Sequence, residues 1–143
     1  RQPRVPHIMI EYSANIAEHH DVDALVAAVH DAAIGHGLPP VDGLRTRAAV
    51  RDHFRIADGS DDLAFVAIAI RVGPGRDAPT KTSFIEAVLD AAESQLDTES
   101  GPLAIAWSIE LNEIDVNFRI NRNHVRTRLA ERAATAQEAP THG

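Results

Sequence analysis

The chain is 143 residues long and 44% apolar, the size of one ordinary domain with enough material for a core. A net charge of -7, from 21 acidic and 14 basic residues, argues against nucleic acid or an anionic membrane as partner, because both are held by basic surfaces. With no cysteine there is no disulfide framework, thiol nucleophile or zinc-thiolate site, and one Trp, one Tyr and four Phe leave little to stack against bases.

The first residues are basic, but Glu11, Asn15 and Glu18 interrupt the stretch behind them, so a signal peptide's apolar core is missing. No apolar run approaches the roughly 18 residues of a membrane span, and a cytoplasmic protein is expected. Directly behind Pro6, Ile8, Ile10 and Tyr12 alternate with Met9, Glu11 and Ser13, the period of a half-buried strand over 7–13. Asp21 has the position of an N-cap for a helix striped by Val22, Leu25, Val26, Val29 and Ala33 and stopped by Gly35 and Gly37. After the turn "GLPPVDG", residues 41–50 read as a second strand with Arg45 and Arg47 on one face.

The pattern then repeats. Residues 63–72, "LAFVAIAIRV", are apolar at both parities, as a strand covered on both faces would be. The turn "GPGRDAPT" leads into a helix striped by Ile85, Val88, Leu89, Ala92 and Leu96. A fourth strand begins at Leu103, in which Ile105, Trp107, Ile109 and Leu111 alternate with smaller or polar residues. Two consecutive βαβ units, each internally parallel, predict an α/β (α+β) domain in which a four-stranded sheet carries two helices on one face. Nothing in one chain covers the other face, so an oligomer is expected, with "VNFRINRNHVRTRL" lying on a neighbour. From about Ala130 the composition turns to Ala, Glu, Gln, Thr, Pro and Gly, which predicts a disordered tail over 130–143.

Several formal motifs carry little. "GPGRDA" at 73–78 fits the dinucleotide fingerprint, but the acidic residue that should end a following strand about 20 residues on is replaced by helix, so a simple turn is the better reading. The eight histidines are scattered and form no HxxxH, and "EHHD" caps a helix more readily than it binds a metal. There is no GxSxG elbow. Arg76, which the turn presents at the carboxyl end of the third strand and next to a helix N-terminus, is either an anion binder or a solvated arginine. Arg45 and Arg47 are either a solvated strand edge or donors to a multiply charged carboxylate. Pro6 is ordinary as the first residue of a strand. As a free amino terminus it would be a rigidly placed secondary amine whose pKa burial and nearby arginines would lower toward neutrality, fitting it for general base catalysis.

The stretches "PHIMIEYSANI" from Pro6, "GLRTR" from Gly43, "IADGSDDLAFV" from Ile56, "GPGR" from Gly73 and "VNFRINRN" from Val116 resemble, in order, the 5-carboxymethyl-2-hydroxymuconate delta-isomerases of the tautomerase superfamily. The resemblance covers 6–129 and implies a homotrimer of double-βαβ subunits. It also implies a small polycarboxylate substrate from homoprotocatechuate catabolism, the transposition of a double bond, and no metal or organic cofactor. By the same resemblance Pro6 is the acid/base, and Arg45 and Arg76 are the catalytic and substrate-binding arginines.

One departure bears directly on the chemistry. The family begins at its proline, whereas here 1–5 precede it, and an amide nitrogen at Pro6 has its lone pair delocalised into the carbonyl. Val5 is what translation through a GTG start codon would give, so 1–5 are expected to be an annotation artefact or an expression remnant. If they stay attached, the expectation is an inactive trimeric module that binds an anion or another protein.

Overall fold

Strand β1 (His7–Ser13) lies at the centre of the sheet, with the two edges built outward from it. In a computed structural model that describes residues 6–96 and 101–138, it joins β2 (Arg45–Arg51), β3 (Leu63–Val72) and β4 (Ala104–Glu113) in the order β2-β1-β3-β4. Strands β1 and β2 are parallel, as are β3 and β4, and the two halves meet antiparallel where β1 pairs with β3. Each half is therefore a βαβ unit with the parallel pairing that a crossover helix enforces.

Helices α2 (Val22–His36) and α3 (Ala78–Leu96) are those crossovers; they pack on each other and on one face of the sheet. Asp21 caps α2, its carboxylate accepting from the Ala24 N–H at 3.1 Å, as the sequence predicts. The predicted stop at Gly35 does not occur: α2 runs through it and ends at Gly37, whose φ of 85° supplies the left-handed C-cap. A four-residue helix, α1 (Ile16–His19), to which the sequence pattern assigns no element, precedes α2. Against the helices the sheet presents Ile8, Ile10, Val66, Ile68 and Ile70, all essentially without exposure. Burying each stabilises the fold by about 1.5–3 kcal/mol relative to leaving it exposed.

Two other expectations are corrected. The second strand starts at Arg45 because residues Val41–Gly43 form a 3-10 turn behind Pro39 and Pro40, where the extended residue ahead of the turn is a proline that cannot pair. The tail expected to be disordered from Ala130 is instead largely helical. Helix α4 spans His124–Glu138, with Asn123 Oδ1 accepting from the Arg126 N–H at 3.1 Å, and its Ala, Arg, Leu, Glu and Gln are strong helix formers. Residues 1–5 and 139–143, which carry the expectations about the N-terminal extension and the end of the tail, lie outside the described residues, as do 97–100.

Among the described residues no helix packs on the opposite sheet face. Register places His7, Met9 and Glu11 beside Arg45, Arg47 and Ala49 there, and Arg71, Ala69 and Ala67 on the other side of β1. Beyond β4 the chain turns back across one end of the sheet. The Ile114 N–H donates to the Val72 carbonyl at 2.7 Å, and a 3-10 turn (Val116–Phe118) comes next. At the far side Asn123 donates to the Asp42 carbonyl at 2.9 Å and Arg126 pairs with the Asp42 carboxylate at 3.0 Å. The crossing segment leaves Phe118 and Ile120 90% and 81% exposed. No helix among the described residues is long and apolar enough to cross a membrane.

Candidate active site

Pro6 is buried at the head of β1, and its carbonyl accepts from the Arg45 N–H at 3.3 Å, so the prolyl ring and the start of β2 are held together by backbone. The two sequence-predicted residues Pro6 and Arg45 thus lie on adjacent strand starts. Arg76 reaches the same end of the sheet from the loop after β3. Its guanidinium donates to the carbonyls of Gly73 at 3.2 Å and Leu38 at 3.4 Å, which bind this turn to the loop after α2. Among the described residues that leaves part of the guanidinium fork without an acceptor, since Arg has five N–H donors.

The residue after Pro6 is the centre of a cluster that sequence reasoning did not assign. The His7 ring lies on the open face, with Arg47 Nη1 at 2.9 Å from Nδ1 and Arg119 Nη2 at 3.2 Å from Nε2. Arg45 and Arg71 flank it in register on the neighbouring strands. Burial first, and then the charges of Arg47, Arg45, Arg119 and Arg71, lower the pKa of His7 to about 4, so the imidazole is neutral at physiological pH. Arg119 is itself pushed below the usual arginine value by burial and by Arg45 and Arg71.

The carboxylates of this region are engaged elsewhere: Glu11 with Arg51, Asp42 with Arg126, Glu113 with Lys81. Among the described residues none of Arg45, Arg47, Arg71, Arg76 and Arg119 has a carboxylate partner. In a chain of net charge -7, guanidiniums gathered this way form a local site for an anion, which charge-assisted and bidentate hydrogen bonds would hold. Arg47 was visible in the sequence as a face partner of Arg45. The signals for the rest were slight: Arg71 is the one charge in an otherwise apolar strand, and Arg119 sits in the segment that had no place in the sheet.

The described clefts lie elsewhere. One of about 420 Å³ is lined by Asn15, Phe54, Arg55 and Leu63, among others, at the opposite end of β1 and β3 from Pro6. A second, of about 500 Å³, is formed by 52–55 in the connection from β2 to β3. Neither contains a site residue.

Comparison with known proteins gives consistent matches. Residues 6–129 match the family model described as 5-carboxymethyl-2-hydroxymuconate isomerase. The 5-carboxymethyl-2-hydroxymuconate Delta-isomerase of Escherichia coli is 30% identical over 122 residues, which span 84% of this chain and 97% of that protein. A crystal structure of a 5-carboxymethyl-2-hydroxymuconate isomerase from Deinococcus radiodurans R1 superposes with a TM-score of 0.77 at 24% identity, covering 87% of this chain and 93% of that one. A fused 4-OT in a symmetric trimer shares the fold at a TM-score of 0.59 and 16% identity, over 82% of this chain and 94% of that one.

Proposed function

Because the chain belongs to the 5-carboxymethyl-2-hydroxymuconate isomerase family of the tautomerase superfamily, we propose that this isomerase moves a double bond in an unsaturated muconate-type polycarboxylate, with the Pro6 amine as acid and base and without a cofactor. The observation that carries this reading is the placement of Pro6: buried, backbone-locked to Arg45, and at a sheet end where, among the described residues, no carboxylate neutralises the guanidiniums. Such surroundings disfavour a charged prolyl amine and lower its pKa toward neutrality, where a base is most effective.

Each residue then has a chemical task. Pro6 nitrogen removes a proton from the dienol, leaving negative charge spread over a dienolate and its oxygen. A guanidinium at that oxygen stabilises the charge more in the transition state than in the ground state. Arg45 and Arg76 divide the tasks of polarising this oxygen and anchoring a carboxylate, which fixes the reacting carbons beside the amine. The protonated amine then returns the proton at a different carbon. The mechanism requires a free Pro6 nitrogen, since an amide there is not basic. The working assembly in this reading is a homotrimer, in which neighbours cover the open sheet face beyond the Pro6 end.

Ultraviolet absorbance of enol-to-ketone conversion of 5-carboxymethyl-2-hydroxymuconate, with chains beginning at Arg1 and at Pro6, provides the test. Turnover is expected only from the Pro6 form, and Arg76→Ala in that form is expected to lower kcat/KM by about 100-fold, the scale of one lost oxyanion or carboxylate donor. Full activity with residues 1–5 verified in place by intact mass would overturn the prolyl base. No activity in either form would favour the anion-binding module.

A further inference from the structure

We propose that Arg47 and Arg119, set on either side of the His7 ring, form a carboxylate-binding subsite on the open sheet face, distinct from Arg45 and Arg76, that holds the substrate carboxylate remote from the reacting carbons. It deepens the proposed isomerase function, on which it rests for the identity of the substrate.

The hydrogen-bond inventory around His7 does not balance. A neutral imidazole has one N–H and one lone pair, yet both ring nitrogens of His7 face guanidinium donors, at 2.9 Å and 3.2 Å. Only one of those guanidiniums finds an acceptor in the ring; the other meets an N–H. Arg45 on β2 and Arg71 on β3 add two further positive charges from the strands on either side, and Arg119 adds its own from the crossing segment. The group is thus rich in donors and positive charge and short of acceptors, and a carboxylate placed between Arg47 and Arg119 supplies acceptors and offsets the charge.

The site is also assembled from separate parts of the chain. Arg119 belongs to no strand, and reaches His7 because the segment after β4 is fixed at Val72 on one side and at Asp42 on the other. Arg47 comes from β2 and His7 from β1. Three elements converge with their donors already in place, the preorganisation that lowers the cost of ordering on binding. Its position fits a long substrate. His7 is the residue after Pro6, with Cα atoms about 3.8 Å apart, so a carboxylate held here belongs to a molecule long enough to put another part of itself at the prolyl nitrogen. That selects substrates with at least two carboxylates over monocarboxylates.

Tricarballylate, a tricarboxylate with no double bond to move, is a suitable probe. Calorimetric titration of the Pro6 chain is expected to show tricarballylate binding and no measurable acetate binding. Arg47→Gln and Arg119→Gln are each expected to weaken it by about 10- to 100-fold, the range for a lost hydrogen bond to a charged group. Arg128→Gln, in an exposed pair on α4, leaves it unchanged. Bound tricarballylate is also expected to raise the His7 titration midpoint followed by NMR of the ring C–H, because an anion offsets the surrounding arginines.

Unchanged affinity in both glutamine variants would overturn the subsite, as would binding that leaves the His7 resonance unmoved. Failure of the probe to bind at millimolar concentration would overturn it as well, pointing to a second copy's carboxylate as the occupant. Because the probe does not react, tricarballylate binding without isomerase activity would sink the functional reading and leave the subsite. Full activity with an unaltered KM in Arg119→Gln would do the reverse.

Discussion

An imidazole with a guanidinium at each ring nitrogen has to stay uncharged to remain in place, and this makes His7 a source of pH dependence in folding. Its pKa is about 4 in the folded chain against 6.5 for an unperturbed histidine. Between these values the unfolded chain binds a proton that the folded chain does not, so stability falls as pH drops from 6.5 to 4 and the loss is complete below that. The full shift corresponds to about 3 kcal/mol, but solvent screening of a partly exposed ring reduces the expected loss to about 1 to 2 kcal/mol. Thermal unfolding measured at intervals from pH 7 to 4 should show this decline, and His7→Gln should flatten it. An equal slope in the variant would place the dependence elsewhere. Asp58 and Asp77, whose carboxylates are held low by bonds from Ser60 and Thr80, lose their contribution only at lower pH, as they become protonated. At this scale the placement of Pro6, Arg45 and Arg76 at one end of the sheet was legible, because each stands beside a strand end or turn. His7 was not, because its neighbours come from two other strands and a returning segment, and such pairing leaves no mark on a single stretch of sequence.

Secondary structure was most legible where burial and period agreed. The run from Leu63 to Val72 is a strand throughout, and the stripe from Ile85 to Leu96 faces the core as Val88, Ala92 and Leu96, although the most buried aromatic, Phe84, lies just ahead of the residues that marked it. Helix α4 was misread because it is polar all round and packs on little, so no apolar stripe announced it; propensity and a cap at Asn123 produce it instead. That cap has two tasks, since the same side chain donates to the Asp42 carbonyl and fastens the segment that delivers Arg119. Asn123→Ala is therefore expected to cost about 1 kcal/mol locally and to accelerate amide hydrogen exchange in α4 by roughly fivefold. It should also move the His7 titration midpoint up toward 6.5 as Arg119 is released. Faster exchange in α4 with His7 unmoved would show that the crossing segment is held by its other anchor, Ile114 on Val72.

Counting layers in the sequence predicted a sheet with one uncovered face, and the structure has that face, bearing Phe65, Ala67 and Ala69 on β3 and Ala104 and Ala106 on β4. What the count was unable to supply is the path of 114–123, which crosses the sheet end and projects Phe118 and Ile120 into solvent at 90% and 81% exposure. Two large apolar side chains held outward by a segment fixed at both ends resemble the anchors of an interface more than scattered surface residues. If identical copies take them up in a head-to-tail manner, the contact is heterologous and closes only as a ring, which is the geometry of the proposed trimer. Replacing both, as Phe118→Asp with Ile120→Asp, puts charge into that contact without touching the core behind the sheet. Light scattering coupled to size exclusion should then show the mass fall from three chains to one, with the circular dichroism spectrum retained. A parent chain already monomeric at micromolar concentration, or a doubly substituted chain that stays trimeric, would remove this segment from the assembly. Turnover measured on the same samples separates two roles for the ring: if the monomer keeps its kcat/KM, each open face works alone, whereas a loss in step with dissociation means that the Pro6 end is completed by its neighbour.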